Sequence, residues 1–185
     1  MAKHAQMSPS GAERWVRCPG SVPLSADLPD ESSKFADEGS CAHEVAALCL
    51  TEKHDAAYYI GRVFHETEVA EDMAEHVNFY VQTVHDYMTD PTDDLHVEVR
   101  LPITSITGEA DAFGTADAVI LSHMHQEITV IDLKFGKGVK VHADQNLQLA
   151  IYALAVLAQY AIVGDWKTVR MVIIQPRVGG NHECN

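Results

Sequence analysis

Two aspartates and a lysine, Asp117, Asp132 and Lys134, fall on stretches that read as consecutive strands, residues 108–121 and 127–135. A hairpin centred on the turn His123-Met124-His125-Gln126 sets Asp117 directly opposite Asp132. Lys134 follows two residues later and shares the face of Asp132, because strand side chains alternate with period two. Opposed residues have Cβ atoms roughly 4.5–5.5 Å apart, and two carboxylates at about 5 Å repel by roughly 3 kcal/mol at an effective dielectric of 20. A divalent cation answers that repulsion, and Mg²⁺ or Mn²⁺ suit oxygen ligands. Such an ion lowers the pKa of a water and polarises a phosphate oxygen, while Lys134 is placed to orient or deprotonate the water or to stabilise charge at phosphorus. The plainer alternative is an exposed Asp–Lys ladder worth at most about 1 kcal/mol. Ile131-Asp132-Leu133-Lys134-Phe135 argues against it: apolar residues on both faces mark a central strand, where charges need a reason.

The elements that must position these residues follow from periodicity. Ser10-Gly11-Ala12-Glu13 has capping-box form and predicts a short helix carrying Trp15 inward, stopped by Cys18-Pro19-Gly20. Residues 25–39 are polar and acidic and read as a surface loop. A helix over 38–52 places Ala42, Val45, Ala46, Leu48 and Cys49 at helical spacing. His43 and Glu44 begin a His-Glu-Val-Ala-Ala run that is not HExxH, so a zinc protease is excluded. Residues 54–66 read as a connection, and 67–88 as an amphipathic scaffold helix with acidic residues Glu68, Glu71 and Asp72 at its start. Leu95, Val97, Val99 and Leu101 alternate along a first strand, with His96, Glu98 and Arg100 opposite; Gly114 marks a bend or close approach on the second. A helix over 143–160 and a strand over 167–175, ended by Pro176, complete the set. Residues 178–185 read as a frayed tail.

The expected architecture is α/β of the α+β kind, one domain over 1–185. It comprises an N-terminal helix and acidic loop (1–37), a core (38–177) and a flexible tail (178–185). At 185 residues with 46% apolar content, the chain is long enough for a real core. No apolar run approaches the roughly 20 residues of a bilayer span, and the first residues lead into no signal segment; the expectation is a cytoplasmic protein with no membrane partner. Four cysteines, Cys18, Cys41, Cys49 and Cys184, show no CxxC spacing, against a zinc ribbon; Cys41 and Cys49 read as buried thiols. The net charge of −14 argues against nonspecific DNA binding, although Lys134, Lys137 and Lys140 cluster beside the proposed site and a metal would cancel local negative charge.

Gly114-Thr115-Ala116-Asp117, Ile131-Asp132-Leu133-Lys134 and Gln148-Leu149-Ala150-Ile151-Tyr152, in an αβββαβ order, resemble the PD-(D/E)XK nuclease superfamily, and within it the RecB-type branch. The stretch from Ser10 to His43 further resembles an uncharacterised phage and prophage family assigned to that superfamily. The resemblance implies a Mg²⁺- or Mn²⁺-dependent DNA exonuclease serving phage recombination or replication, with a partner protein from that machinery and an oligomer compatible with it. His43, Asp117, Asp132 and the Leu133 carbonyl would be metal ligands, and Lys134 the catalytic lysine. Gln148 and Tyr152, a turn apart on one helix face, would contact DNA or brace the site, together with Lys137 and Lys140. Glu44 is an alternative helix ligand; Glu98, Glu109 and Asp111 are nearby acids with weaker claims. An iron–sulfur cluster, carried by one subset of RecB-type nucleases, is disfavoured because only Cys184 lies late in the chain. The competing reading is a nucleic-acid-binding or assembly module on the same fold that has lost turnover.

Overall fold

The computed structural model describes residues 5–26 and 33–184. Residues 27–32 of the expected acidic loop lie outside them. Among the described residues a five-stranded mixed sheet is flanked by helices on both faces. The strands are β3 (Asp94–Pro102), β4 (Phe113–Ser122), β5 (Glu127–Leu133), β6 (Thr168–Gln175) and β7 (Gly180–Cys184), in that spatial order. The β3–β4, β4–β5 and β6–β7 pairs are antiparallel; β5 and β6 are parallel, joined by the crossover helix α6 (Leu147–Tyr160). A separate two-stranded hairpin, β1 (Val63–Phe64) with β2 (Thr67–Glu68), precedes the sheet. The remaining helices are α1 (Ala12–Arg17), α2 (Ser21–Ser25), α3 (Lys34–Glu52), α4 (Glu71–Asp86) and α5 (Thr104–Thr107). No helix among the described residues is long and apolar enough to cross a membrane.

One core lies between the sheet and α3 with α4, built on Val45, Val77, Tyr80, Ile120, Ile131 and Leu133. The other lies between the sheet and α6 with α1, built on Leu101, Val119, Val130, Leu149, Val156 and Ile173. Cys41 and Cys49 are buried thiols in the first core.

Several expectations are corrected. Helix α3 starts at Lys34 rather than 38, because the Ser33 hydroxyl caps it by accepting the Ala36 N–H at 3.2 Å. No capping box forms at Ser10: Pro9–Gly11 make a 3₁₀ turn, and α1 follows without a side-chain cap. Trp15 does turn inward as expected, half-buried against the α6 core with its indole N–H donating to the Ser8 carbonyl. Thr67 and Glu68 belong to the β1–β2 hairpin, not to α4. Its two central residues, His65 and Glu66, both adopt positive φ (49° and 59°), which a type I′ turn requires but which normally selects Asn-Gly. Residues 104–107 form a helical turn ended by Gly108 in the left-handed region, so β4 begins only at Phe113. Helix α6 begins at Leu147, where the Asn146 side chain caps the Leu149 N–H. The expected frayed tail is strand β7, held by its ladder to β6.

The expected hairpin register holds from Ser122↔Glu127 through Ala118↔Ile131, and the ladder stops there. The single-face alternation of β3 does not hold. Leu95 and Val97 pack into the α3–α4 core, whereas Val99 and Leu101 pack into the α6 core. The strand turns over at Glu98, whose φ is 52°, with no change of register against β4. Ala118 and Ala116 divide between the two cores in the same way. The place where the sheet turns over is where Glu98 and Asp117 sit.

Candidate metal centre

Asp117 stands where β4 has parted from β5. The Leu133 N–H, which the continuing ladder would have satisfied, donates instead to Asp117 Oδ2 at 2.7 Å. Asp117 Oδ1 is left to face α3, 3.1 Å from His43 Nδ1. Glu98, on the neighbouring strand, completes a group in which one ligand atom each from His43, Glu98 and Asp117 lie within 4.8 Å of one another. Its left-handed backbone, with φ of 52°, re-aims the side chain, as irregular strand residues commonly do.

Asp132 is not in that group. Strand alternation turns it towards α6, where it is buried, its Oδ2 2.8 Å from Lys134 Nζ. The Gln148 amide on α6 links the two, donating to Asp132 Oδ1 and accepting from Lys134 Nζ, both at 2.7 Å. Tyr152, one turn on, is buried. Its ring covers Gly114, where a Cβ would lie 2.8 Å from Tyr152 Cε1 and 2.6 Å from Pro9 Cγ, so the close approach expected at this glycine is present.

The electrostatics are those of an over-acidic site. Burial raises the Asp132 carboxyl and the Asp117 charge raises it further, with Lys134 working the other way. Loss of surrounding water and the Asp117 charge also raise Glu98. Burial disfavours the His43 imidazolium, but Asp117, by charge and hydrogen bond, outweighs it and holds the ring at about 9. Beneath the carboxylates, burial pushes the Tyr80 phenol of α4 well up, assisted by Asp117, Asp132 and Glu98.

The other expected site residues are placed as follows. Glu44 pairs with His65 of the β1–β2 turn at 3.2 Å, and both line a groove of about 640 Å³ that also contains His43 and Glu98. Leu133 is buried and meets the site through its N–H. Lys137 and Lys140 are exposed on the loop after β5. Glu109 is elsewhere: it accepts the backbone N–H groups of Gln6 and Met7 and ties down the N-terminal segment. Asp111 is an exposed residue at positive φ before β4. His65 carries no signal in the sequence; it belongs to the site's groove only because a turn with no Asn or Gly carries it there.

One imidazole and two carboxylates converging at a strand edge suit a divalent cation with mixed N/O ligation, and the imidazole favours Mn²⁺ over Mg²⁺. Fold and site together define an α+β protein with a His–Glu–Asp cluster backed by an Asp–Lys–Gln network. Residues 4–185 match the family described as "Protein of unknown function (DUF2800)", and the chain belongs to it.

Proposed function

We propose that this chain is a metal-dependent DNA nuclease of the PD-(D/E)XK superfamily, RecB-type branch, acting as a phage-type exonuclease in recombination or replication. The observation that carries the reading is the meeting of two sets at one strand edge. His43, Glu98 and Asp117 converge from three elements, while Asp132, Lys134 and Gln148 are joined behind them by one ion pair and two hydrogen bonds. The order α3, α4, three antiparallel strands, α6 and a parallel strand supports the same assignment.

His43, Glu98 and Asp117 would hold Mg²⁺ or Mn²⁺, with Asp132 adjoining. When bound, the ion supplies Lewis acidity and activation of a water at neutral pH. Leu133 fixes the Asp117 carboxylate through its N–H, so the ligand does not reorganise during the reaction. Gln148 holds the Lys134 ammonium in one orientation, where it would donate to the phosphoryl oxygen as negative charge accumulates there. Asp132 pairs with Lys134 at 2.8 Å and helps to fix its position.

The test is hydrolysis of linear, circular, single-stranded and duplex DNA with Mg²⁺ or Mn²⁺ against a chelator control. Cleavage abolished in Asp117→Ala and Lys134→Ala is expected; wild-type inactivity on every substrate would sink the proposal. The net charge of −14 favours the second reading, a nucleic-acid-binding or assembly module without turnover. Calorimetric titration with Mn²⁺ separates the two, since that module would take up no metal.

A further inference from the structure

A second groove, of about 640 Å³, lies at the first turn of α3, between Phe35 and the loop that leaves β5. Its floor is Arg177, a side chain only 3% exposed, ion-paired with Glu38 at 2.9 Å and stacked 4.6 Å from the Phe135 ring. Its wall is the Gly136-Lys137-Gly138 segment. That segment is held in place: the buried Gln175 amide donates to the carbonyls of Gly136 (3.3 Å) and Val139 (3.0 Å) and accepts the Val141 N–H (3.0 Å). Three bonds from one buried side chain into one short loop make a preorganised wall.

Two features of the groove are not explained by turn geometry or packing. Neither Gly136 nor Gly138 has positive φ, and a Cβ on either would meet open space. Glycine unexplained by turn geometry or packing suits close approach of a ligand to the backbone. At the rim Phe35 is 85% exposed, an aromatic face standing in water in a groove that Lys137 also lines. An aromatic platform with a cation and an approachable backbone in one groove is how single-stranded nucleic acid is gripped without sequence preference.

The groove is lined in part by α3, as the candidate metal centre is. Its loop begins directly after Lys134, and Phe35 lies eight residues before His43 on the same helix, ~12 Å along the axis.

We propose that this groove binds an unpaired nucleotide of a single-stranded DNA end, its base stacked on Phe35 and its phosphate on Lys137 and the Gly136–Gly138 backbone. The proposal takes the identity of the ligand from the nuclease reading. It adds a preference that the metal centre does not specify: single strand over blunt duplex.

The test is fluorescence anisotropy of a short end-labelled oligothymidylate and of a blunt duplex on the full chain, in EDTA at low salt so that no cleavage occurs. Wild type is expected to bind the single strand more tightly than the duplex. Phe35→Ala and Lys137→Gln should each weaken single-strand binding roughly five-fold or more, with melting temperature and Mn²⁺ affinity unchanged because both side chains are exposed and outside the metal cluster. Unchanged binding in both variants, tighter binding of blunt duplex, or no binding by wild type overturns the proposal. Cleavage by wild type with unaltered binding in the variants would leave the nuclease reading standing and remove the groove. Binding lost in the variants from a protein that cleaves nothing would do the reverse.

Discussion

Asp117 Oδ1 lies 3.1 Å from His43 Nδ1 across 74 residues of sequence, and this contact joins the turned-over edge of the sheet to helix α3. It also sets the protonation state of the metal-free site, because the carboxylate holds the His43 imidazolium up to about 9.

A metal ligand must be the neutral imidazole, so metal uptake displaces the His43 proton. Apparent Mn²⁺ affinity is therefore expected to rise roughly tenfold per pH unit from neutrality towards about 9 and then level off. Calorimetry in buffers of differing ionisation enthalpy should show close to one proton released at neutral pH.

In the metal-free protein the sign for stability is opposite. A histidine whose folded pKa is raised contributes stability that is fully present below its unfolded value near 6.5 and lost as pH rises through about 9. The melting temperature in EDTA should fall over that window, and His43→Ala should flatten the fall.

Glu98 can be separated from the fold. Its φ of 52° is strained for a side chain bearing a Cβ, so Glu98→Gly is expected to raise stability by up to about 1 kcal/mol. Loss of one of three converging ligands should weaken Mn²⁺ binding at least tenfold. Urea denaturation and metal titration on the same variant check both halves.

The Asp132–Lys134 pair is expected to behave as a unit. Lys134→Ala leaves a buried carboxylate with Gln148 as its remaining side-chain donor, a loss of about 3 kcal/mol. Asp132→Asn/Lys134→Met removes both charges and should recover much of that stability while remaining inactive. A double-mutant cycle by denaturant unfolding measures the coupling.

Gly114→Ala would drive a methyl to 2.6 Å from Pro9 Cγ and 2.8 Å from Tyr152 Cε1. Proline and the packed tyrosine ring can give little, so a loss of about 1–3 kcal/mol is expected, read as a lowered melting temperature.

Part of this architecture is legible in local patterns of residues. The end of α3 at Glu52, the register of the β4–β5 hairpin and the end of β6 before Pro176 all follow from short-range periodicity and turn chemistry. Strand β7 is not legible in that way, because Gly180-Asn181-His182-Glu183-Cys184 carries no alternation; its partner β6 makes it a strand. The His65-Glu66 turn is equally silent, because neither residue announces positive φ.

The residue types that could do chemistry, His43, Asp117, Asp132 and Lys134, and the strands that carry Asp117 and Asp132 with Lys134 just beyond, are determined by sequence. Tertiary structure alone decides how they divide. Period-two alternation puts Asp117 and Asp132 on one face only while the ladder continues, and it stops at Ala118↔Ile131. Beyond it Asp117 bends to satisfy the Leu133 N–H and meets His43, whereas Asp132 stays towards α6 with Lys134 and Gln148. The third member of the cluster is Glu98, because a left-handed residue turns β3 over at that point, and no local pattern marks a glutamate for that conformation.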